Sequence, residues 1–228
     1  MKNQNRVFAA MLALAITCPV SAHAVSENSL AKKSIRAARV LQEVATAPDK
    51  SIPLSLLKKA VCIATIPDVV RAAFGFGAQG GLGMVSCRTA TGWSNPSYLK
   101  IVGGSWGFEI GVSAMDTVLV FVSANAVQRL SVNNFTLGTE ATVAAGPLGR
   151  DLQAETDYQL SAEIVSYSRA RGLFAGIALT GTSVSVDAKS NRKVYQNEMS
   201  PQDLLTSDGS AAPEAVIPYV NALNTFAP

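Results

Sequence analysis

The amino-acid sequence predicts an α+β fold: a glycine-rich, strongly curved antiparallel β-sheet, barrel-like, flanked by N-terminal and C-terminal helices. Three observations carry this. The 228 residues are 48% hydrophobic and only 15% charged, which supplies apolar material for a packed core and too little charge for a disordered chain or a nucleic-acid tail. Sixteen of the 17 glycines fall between Gly75 and Gly181, among short β-like runs, and glycine within strands marks bulges, bends and close backbone approach. On either side of this zone, apolar residues recur at the three- and four-residue spacing of helices.

Residues 1–24 read as a secretory signal peptide. Lys2 and Arg6 precede an apolar run over residues 7–16, and Pro19 precedes Ala22, His23 and Ala24, giving a basic start, a short apolar core and a small-residue cleavage site. The exported chain is expected to begin at Val25. The rival reading, lipid attachment at Cys18, is weakened by Ala15 and Thr17 ahead of it. No later stretch reaches about 18 uncharged apolar residues, because Asp116 interrupts the best one. A periplasmic or secreted protein follows, soluble or peripheral on a membrane. Cleavage removes Lys2, Arg6, Cys18 and the single histidine, His23, leaving a net charge of about +1.

Residues 25–50 form the next unit, a basic amphipathic helix and linker. Leu30, Ile35, Ala38, Leu41 and Val44 make the apolar stripe, with Lys32, Lys33, Arg36 and Arg39 between them. Residues 47–50 break the helix, and Pro53 opens a short one through Lys59. Residues 25–59 carry seven basic and three acidic side chains, whereas residues 60–228 carry ten and thirteen. That asymmetry marks the N-terminal arm as the contact with an anionic surface; the alternative is a helix docked on the body with a solvated lysine face.

Residues 51–206 form the β-rich unit, with strand candidates at 61–66, 82–88, 98–102, 117–123, 173–179 and 182–187. In the last of these Val184 and Val186 alternate with Ser183 and Ser185. Cys62 and Cys87 lie in two of these candidates. As an even pair in an oxidising compartment they form a disulfide or remain two buried thiols; the expectation taken here is the bridge. Past Asp187 the pattern is helical and polar, with Pro201 opening a helix. Residues 207–228 form a C-terminal helical segment broken or kinked at Pro218.

Two motifs invite an enzymatic reading and fail on context. Gly75, Gly77 and Gly80 satisfy G-x-G-x-x-G, but no helix-forming run follows and no acid occurs from residue 69 to 108 to hold a ribose. Gly103, Ser105 and Gly107 satisfy G-x-S-x-G, yet the sequence beyond residue 24 has no histidine to act as base, and the alternation after Trp106 reads as strand. A serine–lysine pair with Lys100 has no spacing to support it. Two cysteines with no histidine argue against zinc, and there is no aspartate-rich calcium loop. No cofactor, metal or nucleic acid is expected; an uncharacterised hydrolase is the third-ranked reading, and no spacing in the sequence signals the carboxylate pair of a glycosidase.

The runs IPLSLLKKAVCIATIP (52–67), GWSNPSYLKIVGGSWGFEIG (92–111), FTLGTEATVAAGPLGR (135–150) and SYSRARGLFAGIALTG (166–181) resemble the SYLF domain family, over residues 35–206. The resemblance implies a domain whose eukaryotic members bind phosphoinositide-containing membranes, with an N-terminal amphipathic helix implicated, and whose fungal branch binds and bundles actin. Carried over, it points to Lys32, Lys33, Arg36 and Arg39. An exported bacterial member meets neither actin nor, ordinarily, phosphoinositides, so phosphatidylglycerol, cardiolipin or lipopolysaccharide phosphates are the expected ligands. Cys62 and Cys87 stand where family members commonly carry small or aliphatic residues, a departure that suits a crosslink. Arg150, Arg169 and Arg171 lie in the two best-matching runs as candidates for an anion pocket, against pairing with Asp151, Glu155, Asp157 or Glu163. The expected function is non-catalytic binding of anionic phospholipid or membrane surface in the bacterial periplasm. The alternative is a protein-interaction or envelope-structural module whose partner the sequence does not name.

Overall fold

The structure is a computed structural model that describes residues 26–47, 51–132, 134–146, 162–170, 173–175, 179–196 and 199–228. The signal-peptide and cleavage-site expectations, Cys18 included, lie outside these residues. In chain order the elements are α1 (Glu27–Ala45), α2 (Leu54–Lys59), β1 (Cys62–Thr89), β2 (Gly92–Trp93), β3 (Ser97–Phe121), α3 (Ala124–Val132), β4 (Phe135–Thr136), β5 (Val143–Ala145), β6 (Ile164–Ala170), β7 (Leu173–Ala175), β8 (Thr182–Val186), α4 (Ala188–Tyr195), α5 (Pro201–Thr206) and α6 (Ile217–Phe226). The strands form a single strongly curled sheet in the order β2-β1-β3-β6-β5, with β8 also on β3, β4 on β8 and β7 on β6.

The sheet is built on one long ribbon. The candidates at 61–66 and 82–88 are the two ends of the 28-residue β1, and those at 98–102 and 117–123 fall at the two ends of the 25-residue β3. These strands pair antiparallel from Val85 opposite Ser97 to Cys62 opposite Phe121, with register shifts between Ile66 and Val69 and between Phe74 and Phe76. Glycines that read as punctuation therefore sit inside continuous strands. Both β1 at Gly75, Gly77 and Gly80 and β3 at Gly103, Ser105 and Gly107 run on as strand, which removes the helix that either motif requires. β5 pairs with β6 in parallel, a departure from the all-antiparallel expectation that the long connection between residues 145 and 164 makes possible.

The ribbon folds back so that the two ends of β1 touch. The Arg88 N–H donates to the Val61 carbonyl at 2.8 Å, and Cys62 and Cys87 are joined by a disulfide with Cα atoms 3.9 Å apart. Further along, a Cβ on Gly83 would lie 2.4 Å from the Thr65 carbonyl oxygen and 2.7 Å from the Ile66 Cα. Backbone meets backbone there, and only glycine fits.

Alternation along the curled sheet divides its apolar side chains between two cores. Ile63, Met84, Tyr98, Val118 and Val120 pack with α1, α2, α4 and α6. Cys62, Ala64, Ile66, Val85, Leu99, Leu119 and Phe121 pack with α3, α5 and β8. Three tyrosines, Tyr98 and Tyr219 buried and Tyr195 half-buried, tie the helices down: Tyr98 donates to the Leu30 carbonyl of α1 at 3.0 Å, Tyr219 of α6 to Ile63 at 3.1 Å, and Tyr195 of α4 to Pro96 at 2.5 Å. Burial pushes all three phenols above their ordinary pKa. The C-terminal segment joins this core as a 3-10 turn, Glu214–Val216, followed by α6. Pro218 stands in the first turn of α6, so it opens the helix and does not break it.

Two expected outcomes follow from the return of β1 on itself. The double variant Cys62→Ala/Cys87→Ala should lower the unfolding free energy by about 3 kcal/mol, read by urea denaturation of oxidised wild type against variant, and equal midpoints would reject the bridge. Gly83→Ala should cost about 3 kcal/mol or more because only backbone can yield to its Cβ. A melting temperature within about 1 °C of wild type would contradict the close approach.

Candidate functional site

The helix α1 has clear local causes. Ser26 caps it, its hydroxyl accepting the Ser29 N–H at 3.3 Å, and Glu27 lies in the first turn where a carboxylate favours the helix dipole. Thr46 ends it. Leu30, Ser34, Ala37, Val40, Leu41 and Val44 are buried against the body. Of the apolar stripe read from sequence, Leu30, Leu41 and Val44 therefore hold the helix down, while Ile35 points outward and is 49% exposed.

The four basic side chains of α1 divide by what they meet. Lys32 and Arg39 are exposed, and Lys33 is half-buried. Lys32, Ile35 and Arg39 stand at i, i+3 and i+7, one face of the helix. Arg36 instead reaches the sheet, 3.3 Å from Asp68 and 3.7 Å from Asp116. Burial works against its charge, and Asp116, Asp68 and Glu43 outweigh it, so its pKa stands above the ordinary arginine value. Asp68 is at a β1 register shift and has φ +53°, a left-handed backbone. Its N–H is held by the Asp116 carboxylate at 3.0 Å. Arg36, Asp68 and Asp116 thus form a clasp joining α1 to both strands of the ribbon.

The arginine trio read as an anion pocket is placed only in part. Arg169 pairs with Glu43 of α1, a partner from across the fold and not one of the nearby acids. Glu163, one of those acids, accepts both bonds from Arg129 at 3.0 Å. Arg150 and Arg171 lie outside the described residues.

Several features carried no sequence signal. Arg88 donates to the carbonyls of Leu57, Ala60, Ala227 and Pro228 and stacks 4.6 Å over Trp93, gathering the ends of α2 and α6. Lys58 and Lys59, counted with the basic arm in the sequence, are exposed on α2 beside an exposed Leu54. A groove of about 590 Å³ opens between β3, β8 and the end of α3, lined by Lys100, Val102, Val132, Asn134 and Ser185 among others. Among the described residues no group of three or more His, Cys, Asp or Glu side chains is placed to hold a metal ion, and no helix is long and apolar enough to cross a membrane.

Comparison with known proteins gives a consistent picture. The family described as Ysc84, Las17-binding protein actin regulator, matches residues 102–226. SH3 domain-containing YSC84-like protein 1 of Rattus norvegicus is 37% identical over 203 residues, which cover 87% of this chain and 59% of the relative. Its Homo sapiens counterpart is 38% identical over 185 residues, covering 79% and 54%. LAS seventeen-binding protein 3 of Saccharomyces cerevisiae is 31% identical over 218 residues, covering 94% and 47%. The chain thus spans roughly half to three-fifths of the length of these relatives.

The clasp makes a graded prediction. Asp116→Ala should cost about 2 kcal/mol, because it strands the Asp68 N–H and removes a charge from Arg36. Asp116→Asn keeps an acceptor for that N–H and should cost about half as much. Chemical denaturation of the two variants side by side checks the order; equal losses would assign the whole effect to charge.

Proposed function

The chain belongs to the Ysc84 family, whose domain is also called SYLF, and from that premise we propose that it is a non-catalytic binding module for anionic phospholipid surfaces, acting in the bacterial periplasm after removal of a signal peptide. The observation that carries the proposal is the outward face of α1, where Lys32 and Arg39 flank an exposed Ile35 on a helix fixed to the body by its other side. Basic residues near an anionic surface contribute about 1 kcal/mol each, and an apolar residue between them adds contact with the headgroup boundary. A net charge near +1 does not by itself draw a protein to a membrane, so attraction has to come from charge gathered on one face.

A second reading is docking on a protein partner. The printed names of the relatives favour it: they speak of Las17 binding, actin regulation and SH3 domains. These names describe binding and regulation, in keeping with a module that performs no chemistry.

Vesicle flotation separates the readings. The protein should float with phosphatidylglycerol-rich vesicles, hardly with phosphatidylcholine, and should be released as salt rises through a few hundred millimolar, where the Debye length falls below about 8 Å. Lys32→Gln/Lys33→Gln/Arg39→Gln should weaken binding by up to about hundredfold, at about 1 kcal/mol per lysine or arginine, while leaving the Arg36 clasp intact. Binding unchanged in the triple variant would move the site elsewhere. No binding by the unmodified protein would favour the partner reading.

A further inference from the structure

The charge balance that singles out the N-terminal arm conceals a second concentration of charge. Residues 60–228 carry ten basic and thirteen acidic side chains, but three of the ten, Lys189, Arg192 and Lys193, fall within five residues of α4, a helix that contains no acid. Beyond residue 60, Arg88, Arg129 and Arg169 are each spent on contacts inside the fold. Lys189 and Arg192 are not: both are exposed, and among the described residues neither side chain makes an ion pair or a hydrogen bond. They stand at i and i+3, on one face of the helix. Helix stability accounts for only one of them. Arg192 lies in the last turn, where a cation favours the helix dipole, whereas Lys189 lies in the first turn, where the dipole disfavours it. A cation set against the dipole, with no partner in the fold, points to a partner outside it.

The position of α4 joins this charge to the face already described on α1. Val194 of α4 belongs to the same core as Leu30, Ala37 and Val40 of α1, and the two helices touch. Tyr98 sets the join: its N–H donates to the Asn191 side-chain oxygen at 2.7 Å and its hydroxyl to the Leu30 carbonyl at 3.0 Å. Ser190, Asn191 and Val194 are the buried side of α4, as Leu30, Ser34 and Ala37 are of α1. Two neighbouring helices over one core therefore turn their opposite sides, Lys189 with Arg192 and Lys32 with Arg39, away from it together. Of the acids at this junction, Asp187 is engaged by the Ser190 hydroxyl at 2.7 Å, and Glu27 stands in the first turn of α1. We propose that α4 is the second half of the docking surface, with Lys189 and Arg192 meeting the headgroups of an anionic bilayer alongside Lys32 and Arg39. Charge complementarity selects this occupant: a leaflet is negative over its whole extent, so it can meet cations on two fixed helices at once with no pocket around either. This inference rests on the lipid-surface reading above and adds a contact from the far end of the chain.

The test uses the full exported chain with vesicles of phosphatidylglycerol or of phosphatidylcholine. Lys189→Gln/Arg192→Gln changes only exposed side chains, so it should melt within about 1 °C of wild type. It should bind phosphatidylglycerol vesicles about thirtyfold more weakly and with a flatter salt dependence. Combined with Lys32→Gln/Arg39→Gln, the two losses should multiply. Lysine acetylation followed by mass spectrometry reads the contact directly in the unmodified protein: phosphatidylglycerol vesicles should shield Lys189 as well as Lys32, and phosphatidylcholine vesicles neither. Should the variant fold poorly, that shielding still decides. Wild-type affinity in the α4 variant, or a Lys189 that stays fully reactive on vesicle-bound protein, would overturn the second half of the surface and leave the α1 reading standing. Failure of the unmodified protein to bind any anionic vesicle would overturn both.

Discussion

The close return of β1 upon itself is the constraint on which the rest of the molecule depends. At Gly83 the strand passes so near Thr65 and Ile66 that a methyl group has no room. That contact sets the curvature of the whole ribbon, because β3 is zipped to β1 along its length. Curvature in turn gives the sheet two cores instead of one buried and one wet face, and each needs its own cover of helices. The disulfide between Cys62 and Cys87 sits at the same return. A flat pairing of the same two strands would leave Ile63, Val118 and Val120, or else Cys62, Leu119 and Phe121, facing water.

The helices are then fixed by polar contacts that reach out of apolar surroundings. Tyr98 and Tyr219 each present a ring to the first core and a hydroxyl to a backbone carbonyl of a neighbouring element, so packing and orientation come from one side chain. Arg88 does the same for the ends of α2 and α6. Such contacts explain why α1 presents one fixed face to solvent: Leu30, which gives its carbonyl to Tyr98, lies one helical turn from Ser34 and two residues from Lys32.

Much of this was legible along the chain, and what was not has physical reasons. The limits of α1 follow from Ser26 and Thr46, which act locally, and the density of glycine announced curvature. The pairing of Cys62 with Cys87 was open to reading because both fell in strand candidates. The length of β1 and β3 was hidden by the same glycines that bend them, since a bend within a strand and a break between strands look alike in one dimension. The fate of Arg36 was hidden for another reason. Its partners Asp68 and Asp116 come from separate strands, and Asp116 first showed itself only as the charge that interrupts an apolar run. Arg169 was likewise read against acids near it in sequence, whereas Glu43 is 126 residues away.

Cys62 and Cys87 are the only cysteines beyond residue 18, and their placement bears on how the chain finds its fold. β1 and β3 zip outward from the turn after Thr89, so the pair formed at the greatest chain distance is Cys62 with Phe121. Ordering so long a loop is the slow, entropically costly part of forming a sheet of this kind. The covalent bond joins Cys62 to a residue beside that turn, and the path from Cys62 to Phe121 through Cys87 bypasses residues 63–86. Oxidation between Cys62 and Cys87 converts the most distant pairing of the hairpin into a much nearer one. The bridge is thus a topological shortcut as well as a clamp, and a chain synthesised in a reducing compartment must close the same sheet the long way round.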